Sequence, residues 1–522
     1  MKFYLTSDQI VAKSKSLKTS SLFRIRLEKF KKVIAKNLIL AFFGYIGDPK
    51  KIYRMDEIIE EGKMKREVGL LDAVSLVAGT MIGSGIFIVS ADITRHVGSA
   101  GWLIGIWVIT GIMTLIAAVS YGELGAMFPK AGGQYLFLKE AYSDFVGFLY
   151  GWSFFTVIQT GSIAAVGVAF AKFTSYLIPQ ISEEVILMSA GPLQISSAQL
   201  LSLSIIILLT YINTRGAKDG KTVQTFLTVI KIASLIGIII FGFWALKPEV
   251  WANNWQNAWT MQKMNVDGSF ESYTIVATLG AIAAAMVGSV FSSDSWHCAT
   301  SIAGEIKNPQ RNVGLSLFIG ALTVITIYII INIVYLGVLP LNEIAFAKSD
   351  RVGVAAADII FGSTGTIIIA VMIMISCFGC VNGLILAGPR VYYTMAKDGL
   401  FFEKVAHLNK NGVPGFGLWI QCLVACALCL SGKYSDLLNM VSFVVVLFYI
   451  LNVVGIYRLR ITRPDAVRPY KAFGYPVLPA VYILLASAFC LLLVFYKPNF
   501  TWPGLIIVLT GVPIYLLWKR KK

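Results

Sequence analysis

Long apolar runs dominate this sequence of 522 residues and limit its fold more than any other feature. A helix that crosses a lipid bilayer needs about 20 predominantly apolar residues. Charged residues make up only 14% of the chain, too few to cover a water-soluble surface, because soluble domains carry about 25%. The sequence therefore predicts an all-α membrane protein. Its twelve predicted transmembrane helices lie at residues 69–95, 101–127, 145–178, 198–213, 223–246, 274–304, 312–337, 354–395, 415–431, 437–457, 475–495 and 501–518.

Lysine and arginine residues fall mainly between these runs, and their distribution predicts the orientation of the chain. Of the 45 basic residues, 36 lie in segments on one side of the predicted bilayer, both termini included, and 7 lie in loops on the other side. Cytoplasmic loops carry the excess of positive charge in membrane proteins. We therefore expect a multi-pass protein of the plasma membrane with both termini in the cytoplasm. The net charge of +17 then indicates a lipid bilayer as the partner, not nucleic acid.

Two of the runs contain poor helix formers at mid-span. The first run contains Gly83-Ser84-Gly85, and the sixth contains Ser292-Ser293-Asp294. A small-residue stripe alone is typical of helix packing, but a carboxylate at the centre of a lipid-facing helix costs about 2.5–3.5 kcal/mol. The two runs are also five spans apart, so they cross the bilayer in opposite directions. Paired interruptions in two inverted halves are typical of the central site of a transporter.

The broken backbone itself indicates which ligand such a site takes. Unwinding at Gly83–Gly85 leaves free N–H groups at the positive end of the following half-helix, which suits a carboxylate. The half-helices that end near Met81 and Phe291 leave free carbonyls, which suit an ammonium group. Opposite backbone ends that lie close together fit a zwitterion. The sequence therefore predicts an α-amino acid as the ligand.

Several motifs in order along the chain resemble those of the amino acid–polyamine–organocation superfamily, most closely its L-type amino acid transporter branch. The resemblance covers roughly residues 66–520, and each motif lies at the end or the interruption of a predicted helix. The motifs are Gly-Thr-Met-Ile-Gly-Ser-Gly-Ile-Phe at 79–87, Tyr-Gly-Glu-Leu-Gly with Pro-Lys-Ala-Gly-Gly at 121–133, Gly-Glu-Ile-Lys-Asn-Pro-Gln-Arg-Asn at 304–312, Cys377-Phe378-Gly379 with Val381-Asn382-Gly383, and Arg463-Pro464 with Arg468-Pro469-Tyr470 and Gly474-Tyr475-Pro476.

This resemblance implies a LeuT-like fold with an inverted five-helix repeat, broken first and sixth helices, and alternating access. It divides the chain into a basic cytoplasmic N-terminal extension (1–65), a ten-helix transport core (66–457), two peripheral C-terminal helices (458–518) and a basic cytoplasmic tail (519–522).

The resemblance also implies roles for the residues at the two interruptions. The N–H groups of Ser84 and Gly85 would hold the substrate carboxylate, carbonyls of Met81, Phe291 and Asp294 would hold the ammonium group, and the Phe291 ring would act as a gate. The predicted substrate-binding residues are Met81, Ile82, Gly83, Ser84, Gly85, Phe291, Ser292 and Asp294.

The sequence departs from the usual pattern of the family at three positions. Asp294 stands where the family usually has a small or apolar residue, His297 where it often has asparagine, and Val445 where some members have a polar residue. Candidate partners for the Asp294 carboxylate are the substrate ammonium group, a cationic substrate side chain, and His297 on the same face if the segment is helical.

Two charged residues within the predicted helices also stand out. Lys231 lies in the middle of the fifth run, and an intramembrane lysine indicates a functional site. It resembles the lysine that replaces a sodium ion in sodium-independent members of the family, with a structural lysine bonded to carbonyls as the alternative. For Glu123, at the cytoplasmic end of the second run, we expect a loop salt bridge.

Other classes of function find no support in the sequence. It has no phosphate-binding Gly-x-x-x-x-Gly-Lys loop, and its three histidines show no metal-ligand spacing, so we expect neither a cofactor nor a metal. No nucleophile–base arrangement indicates an enzyme. The seven cysteines lie within or beside apolar runs, which favours reduced thiols. The predicted outer loop at 179–197 contains no cysteine, so we expect no disulfide-linked heavy subunit.

The favoured interpretation is a secondary transporter of α-amino acids, chiefly neutral L-amino acids, that works by sodium-independent exchange or by proton symport. Two alternatives remain open. One is a carrier of cationic amino acids or polyamines, in which Asp294 supplies the counter-charge. The other is a non-transporting amino-acid sensor, with the N-terminal extension as its output.

Overall fold

The computed structural model describes residues 66, 68–130, 132–190, 193–215, 220–431 and 434–520. The predicted N-terminal extension and the last two residues of the predicted tail lie outside this part of the chain. The described residues form a bundle of α-helices joined by short connections. In chain order the helices are α1 (Leu70–Met81), α2 (Val89–Val97), α3 (Ala100–Met127), α4 (Gln134–Ala141), α5 (Asp144–Ser153), α6 (Gln159–Leu177), α7 (Ser197–Thr214), α8 (Gly220–Trp244), α9 (Pro248–Trp255), α10 (Ile275–Ser292), α11 (Cys298–Ser301), α12 (Pro309–Val338), α13 (Leu341–Ala345), α14 (Val352–Lys397), α15 (Gly415–Ser431), α16 (Tyr434–Thr462), α17 (Val477–Tyr496) and α18 (Pro498–Arg520).

The lengths and apolar character of these helices confirm the all-α membrane class. Nine helical segments in the described residues are long and apolar enough to cross a membrane, and α8 with α9 adds a pair bent by 97°. Helices α5 and α6 count as one such segment, because the π-helical turn Phe154–Ile158 joins them. Each of the twelve predicted runs coincides with helix. The count of twelve spans and the division into four parts stay predictions.

Small residues set how closely the central helices pack. Helix α12 runs along both α1 and α3, and α14 runs along α6 and α8. Where α3 meets α12, a Cβ atom added to Gly122 would lie 3.0 Å from the Cα atom of Gly314. Glycine permits this close approach of two backbones, as is common between helices in membranes. Large side chains fill another part of the contact between these helices, where the ring centroids of Trp107 on α3 and Tyr328 on α12 are 5.2 Å apart.

A buried ion pair joins one end of α3 to the last turn of α16. The Glu123 side chain is 1% exposed and accepts hydrogen bonds from both Arg460 Nε (3.0 Å) and Arg460 Nη2 (2.7 Å). It also accepts the Ala472 N–H at 2.7 Å. The salt bridge expected for Glu123 is therefore confirmed, and it joins elements that are far apart in the sequence.

The structure also contains short elements that the apolar pattern does not predict. Two antiparallel hairpins lie in connections, β1 (Ile186–Ala190) with β2 (Leu193–Ser196), and β3 (Gln262–Met264) with β4 (Phe270–Ser272). Such elements have too few residues to show a periodic pattern.

Candidate functional site

The first interruption lies between α1, which ends at Met81, and α2, which begins at Val89, with one 3₁₀ turn between them. Within the described residues, the N–H groups of Gly83, Ser84 and Gly85 donate no backbone hydrogen bond. Glycine and serine are poor helix formers, which explains why the helix unwinds here. The Gly83 N–H faces the Tyr328 hydroxyl, whereas the N–H groups of Ser84 and Gly85 are free at the start of a helical turn, an environment that favours an anion.

The Ser84 hydroxyl is a further group at the first interruption that could bind a ligand. It is 1% exposed and makes no hydrogen bond of good geometry in the described part of the chain. The Cys377 thiol and the Tyr434 hydroxyl are polar neighbours of this hydroxyl. Because a buried polar group without a partner costs about 1–3 kcal/mol, this hydroxyl is suited to receive or donate a hydrogen bond to a ligand.

The second interruption lies between α10, which ends at Ser292, and α11, which begins at Cys298. Ser295 has a φ of +67°, a left-handed conformation that is uncommon for residues other than glycine. Among the described residues, nothing donates a hydrogen bond to the Asp294 carbonyl. The interruption therefore presents a free backbone acceptor, as an ammonium group requires.

Tyr328 on α12 joins the two interruptions. Its hydroxyl lies 3.0 Å from the Met81 carbonyl and 3.2 Å from the Ser292 carbonyl. A carbonyl oxygen has two lone pairs, so each of these oxygens keeps one acceptor position after it binds Tyr328. The sequence does not predict this residue as part of the site, because the contact joins residues far apart in the chain.

The two interruptions also pack tightly against each other. A Cβ atom added to Gly85 would lie 1.9 Å from Ser292 Oγ and 2.8 Å from Ser292 Cβ. Only glycine fits this contact. Its effect is to hold the two interruptions side by side, and their free backbone donors and acceptor match the two charged ends of a zwitterion.

A small cavity of about 30 Å³ lies between the interruptions, with room for one or two water molecules. Seven of the eight predicted substrate-binding residues line it, all except Ile82, whose side chain packs in the interior. The lining residues that were predicted are Met81, Gly83, Ser84, Gly85, Phe291, Ser292 and Asp294. The remaining lining residues are Thr80, Ser162, Val166, Ser295, Cys380 and Leu384. The part that each plays in binding stays a prediction.

Lys231 on α8 lies beside the first interruption. Its side chain is 2% exposed, and its Nζ atom donates a hydrogen bond to the Gly79 carbonyl in α1. The thiols of Cys377 and Cys380 are its other polar neighbours. The ammonium group therefore links α8 to the end of α1, and its predicted role in coupling stays a prediction.

The carboxylate of Asp294 has a partner that the sequence did not predict. The Tyr449 hydroxyl on α16 donates a hydrogen bond to Asp294 Oδ1. His297 makes no ion pair with Asp294, because the left-handed turn at Ser295 replaces the helix that would place both on one face. Instead the His297 ring packs against the Tyr449 ring, with centroids 5.6 Å apart.

Three charged residues form a cluster, here called the outer-end cluster, at the end of the bundle that is predicted to face outward. Asp350 Oδ1 lies 2.7 Å from Arg95 Nη1 of α2, and Asp350 Oδ2 lies 3.2 Å from Lys172 Nζ of α6. Burial alone would raise the pKa of the Asp350 carboxyl, but Lys172 and Arg95 together hold that pKa below its ordinary value. The cluster thus joins α2 to α6 through a carboxylate that is charged at neutral pH.

Aromatic rings connect this cluster to the cavity. Lys172 Nζ lies 5.4 Å from the ring centroid of Tyr434, and the Tyr434 ring meets the Phe291 ring edge-on at 6.4 Å. Because Phe291 lines the cavity, this chain of contacts connects the cavity lining to the outer-end cluster. The role of Phe291 as a moving gate stays a prediction.

Comparison with known proteins places these residues in a family context. A family model described as Amino acid permease matches residues 68–517. A serine/threonine exchanger of Bacillus subtilis is 30% identical over 468 residues, which cover 89% of this chain and 99% of that protein. The mouse large neutral amino acids transporter small subunit 2 is 28% identical over an alignment that covers 88% of this chain and 82% of that protein. The human b(0,+)-type amino acid transporter 1 is 27% identical over an alignment that covers 88% of this chain and 89% of that protein.

Proposed function

We propose that this chain, which belongs to the amino acid permease family, is a secondary transporter that exchanges neutral α-amino acids across the plasma membrane by alternating access. The observation that carries the proposal is that residues of both interruptions line one cavity, with the free N–H groups of Ser84 and Gly85 on one interruption and the free carbonyl of Asp294 on the other. This arrangement would recognise the α-ammonium and α-carboxylate groups, which all α-amino acids share.

Each end of the substrate has a group of matching charge. The carboxylate would accept hydrogen bonds from the free N–H groups, and charge-assisted bonds of this kind are about twice as strong as neutral ones. The Ser84 hydroxyl would add a further donor, since it has no partner in the described chain. The ammonium group would donate to the Asp294 carbonyl and to the open lone pair of the Met81 carbonyl.

The names of the relatives support exchange and neutral substrates. One relative is named an exchanger of serine and threonine, and another a transporter of large neutral amino acids. Independence from sodium is supported by Lys231, because its ammonium group already donates to the Gly79 carbonyl beside the interruption. A second cation close to it would be repelled.

We further propose that both termini face the cytoplasm and that the transporter works without a disulfide-linked heavy subunit. The distribution of basic residues supports the orientation. The absence of cysteine from residues 179–197 supports the proposal that no heavy subunit is attached, because a disulfide from this predicted outer loop would need a cysteine there.

Uptake by the purified protein in proteoliposomes tests the proposal. A panel of radiolabelled neutral, cationic and polyamine substrates is offered to vesicles with and without an unlabelled amino acid inside, in sodium-free buffer. We expect accumulation of neutral amino acids that is accelerated by the internal amino acid. Accumulation of polyamines or cationic amino acids alone would favour the cationic carrier, and binding without any accumulation would favour the sensor.

A further inference from the structure

A proline lies inside α14, the long helix that supplies Cys380 and Leu384 to the cavity lining. Pro389 has no N–H group, so the carbonyl of Ile385, four residues earlier, lacks its usual helical donor. In the apolar interior of a membrane protein, neighbouring helices supply donors to backbone groups that a proline leaves free. This part of α14 therefore depends on side chains of other helices.

Two buried glutamines supply donors at this point. Gln421 of α15 donates from Nε2 to the Ile385 carbonyl at 3.2 Å, and Gln159 of α6 donates to the carbonyl of Leu384, the residue before it, at 2.5 Å. The two side chains meet at Gly388, where an added Cβ atom would lie 1.9 Å from Gln421 Oε1 and 3.0 Å from Gln159 Cγ. Helices α6, α14 and α15 are thus joined at one point beside the proline.

The donor group of Gln421 explains why a glutamine lies at this position. The side chain is 1% exposed, and its Oε1 atom has no hydrogen-bond partner within the described residues. An unpaired buried acceptor is costly, and an apolar side chain of similar shape would avoid that cost. The bond from Nε2 to the Ile385 carbonyl offsets it.

The bond from Gln159 joins two walls of the cavity. Leu384 lines the cavity on α14, and Ser162, one turn after Gln159, lines it on α6. We propose that Gln159 and Gln421 are positioning residues for transport. Together they replace the helical hydrogen bond that α14 lacks at Pro389, and so they fix the spacing of the two walls around the substrate. This inference rests on the proposed function, because the spacing affects transport only if the substrate binds in this cavity.

The KM for exchange separates a positioning role from a purely structural one. Gln159→Met and Gln421→Met keep a side chain of similar length but remove the donor. Each leaves a carbonyl of α14 without that donor, so the cavity wall shifts, and we expect KM for a neutral amino acid to rise on the order of tenfold. We also expect a lower thermal midpoint for each purified variant.

Gln199→Met is the matched control. Gln199 of α7 also donates from Nε2 to a backbone carbonyl of α15, that of Cys429, at 3.0 Å. Neither residue belongs to the cavity lining in the described part of the chain. This variant should lower the thermal midpoint but leave KM unchanged, because KM does not depend on the amount of folded protein.

The substitution Pro389→Ala tests whether Gln421 replaces the lost helical bond. Alanine restores an N–H group that can donate to the Ile385 carbonyl, so Gln421 becomes dispensable. In the Pro389→Ala background, Gln421→Met should therefore change KM and the thermal midpoint much less than it does in the wild type. If Gln421→Met alone does not fold, a folded double variant would support the inference, and an unfolded double variant would overturn it.

The outcomes separate this inference from the proposed function. KM values of Gln159→Met and Gln421→Met within about twofold of the wild-type value would overturn the inference and leave the transporter intact. An equal effect of Gln421→Met with proline and with alanine at position 389 would also overturn it. If the wild type exchanges no neutral amino acid, the proposed function itself is wrong.

Discussion

The close contact between Gly85 and Ser292 makes the substitution Gly85→Ala a sharp test of the site. Neither Gly85 nor Gly83 has a left-handed backbone conformation, so alanine causes no backbone strain at either position. The difference between them is space. A Cβ atom on Gly85 would lie 1.9 Å from Ser292 Oγ, whereas one on Gly83 would meet only Cys380 Sγ at 3.7 Å.

The size of the effect follows from these distances. Ordinary van der Waals contact needs about 3.5 Å, so Ser292 Oγ would have to move by roughly 1.5 Å, and Ser292 Cβ, at 2.8 Å, would have to move with it. Because the Cβ atom is fixed to the backbone of α10, the two interruptions must separate. Overpacking of this kind costs about 1–3 kcal/mol, which corresponds to roughly a 5- to 150-fold loss of substrate affinity if the strain falls on the bound state.

The cost can fall on substrate binding or on the stability of the fold. Exchange in proteoliposomes measures the first, and the thermal midpoint of the purified protein measures the second. We expect Gly85→Ala to lose most exchange, and Gly83→Ala to lose less. Gly237→Ala is the matched control, because a Cβ atom there has no neighbour within 4 Å. The double variant Gly85→Ala with Ser292→Gly removes both clashing atoms and should recover part of the affinity. Normal exchange in Gly85→Ala would refute the packing of the two interruptions.

Three further predictions concern charged residues. Lys231→Met should abolish sodium-independent uptake while the protein still reaches the membrane, because the link from α8 to the Gly79 carbonyl is lost; strict sodium dependence of the wild type would contradict this. Glu123→Gln leaves Arg460 without its partner, and we expect a loss of stability on the order of 3 kcal/mol, seen as a lower thermal midpoint; an unchanged midpoint would count against it. Because the pKa of Asp350 is lowered, the outer-end cluster stabilises the protein at every pH above the ordinary pKa of a carboxyl group. This stabilisation is lost only as pH falls through the lowered pKa. The midpoint difference between wild type and Asp350→Asn should therefore persist from about pH 8 to pH 5, and its disappearance at pH 6 would disprove this assignment.

The sequence predicts the parts of the site that depend on local chemistry. Gly83-Ser84-Gly85 are poor helix formers within one apolar run, so the position of the interruption follows from propensity alone. Lys231 stands out because a lysine is rare at mid-span. The helices themselves follow from long apolar runs, which is why all twelve predicted runs coincide with helix.

Other contacts have no local signal. Tyr328 binds the Met81 carbonyl across 247 positions of the chain, and Tyr449 binds Asp294 across 155. The sequence pattern around a tyrosine in an apolar run is the same whether its hydroxyl donates to a buried carbonyl or faces the lipid headgroups. His297 is a candidate partner for Asp294 only if the segment is helical, and the left-handed turn at Ser295 removes that geometry.

Competition by a matched set of analogues tests most directly whether the paired interruptions recognise the two ends of an α-amino acid. The set consists of one transported neutral amino acid, its decarboxylated amine and its α-hydroxy acid, each offered against exchange of the labelled parent in sodium-free proteoliposomes. We predict that each analogue competes at least about tenfold less well than the parent, since each loses a charge-assisted set of hydrogen bonds worth about 1.5–3 kcal/mol. An amine that competes as well as the parent would contradict the carboxylate site at Gly83–Gly85, and an equally potent hydroxy acid would contradict the ammonium site at the second interruption.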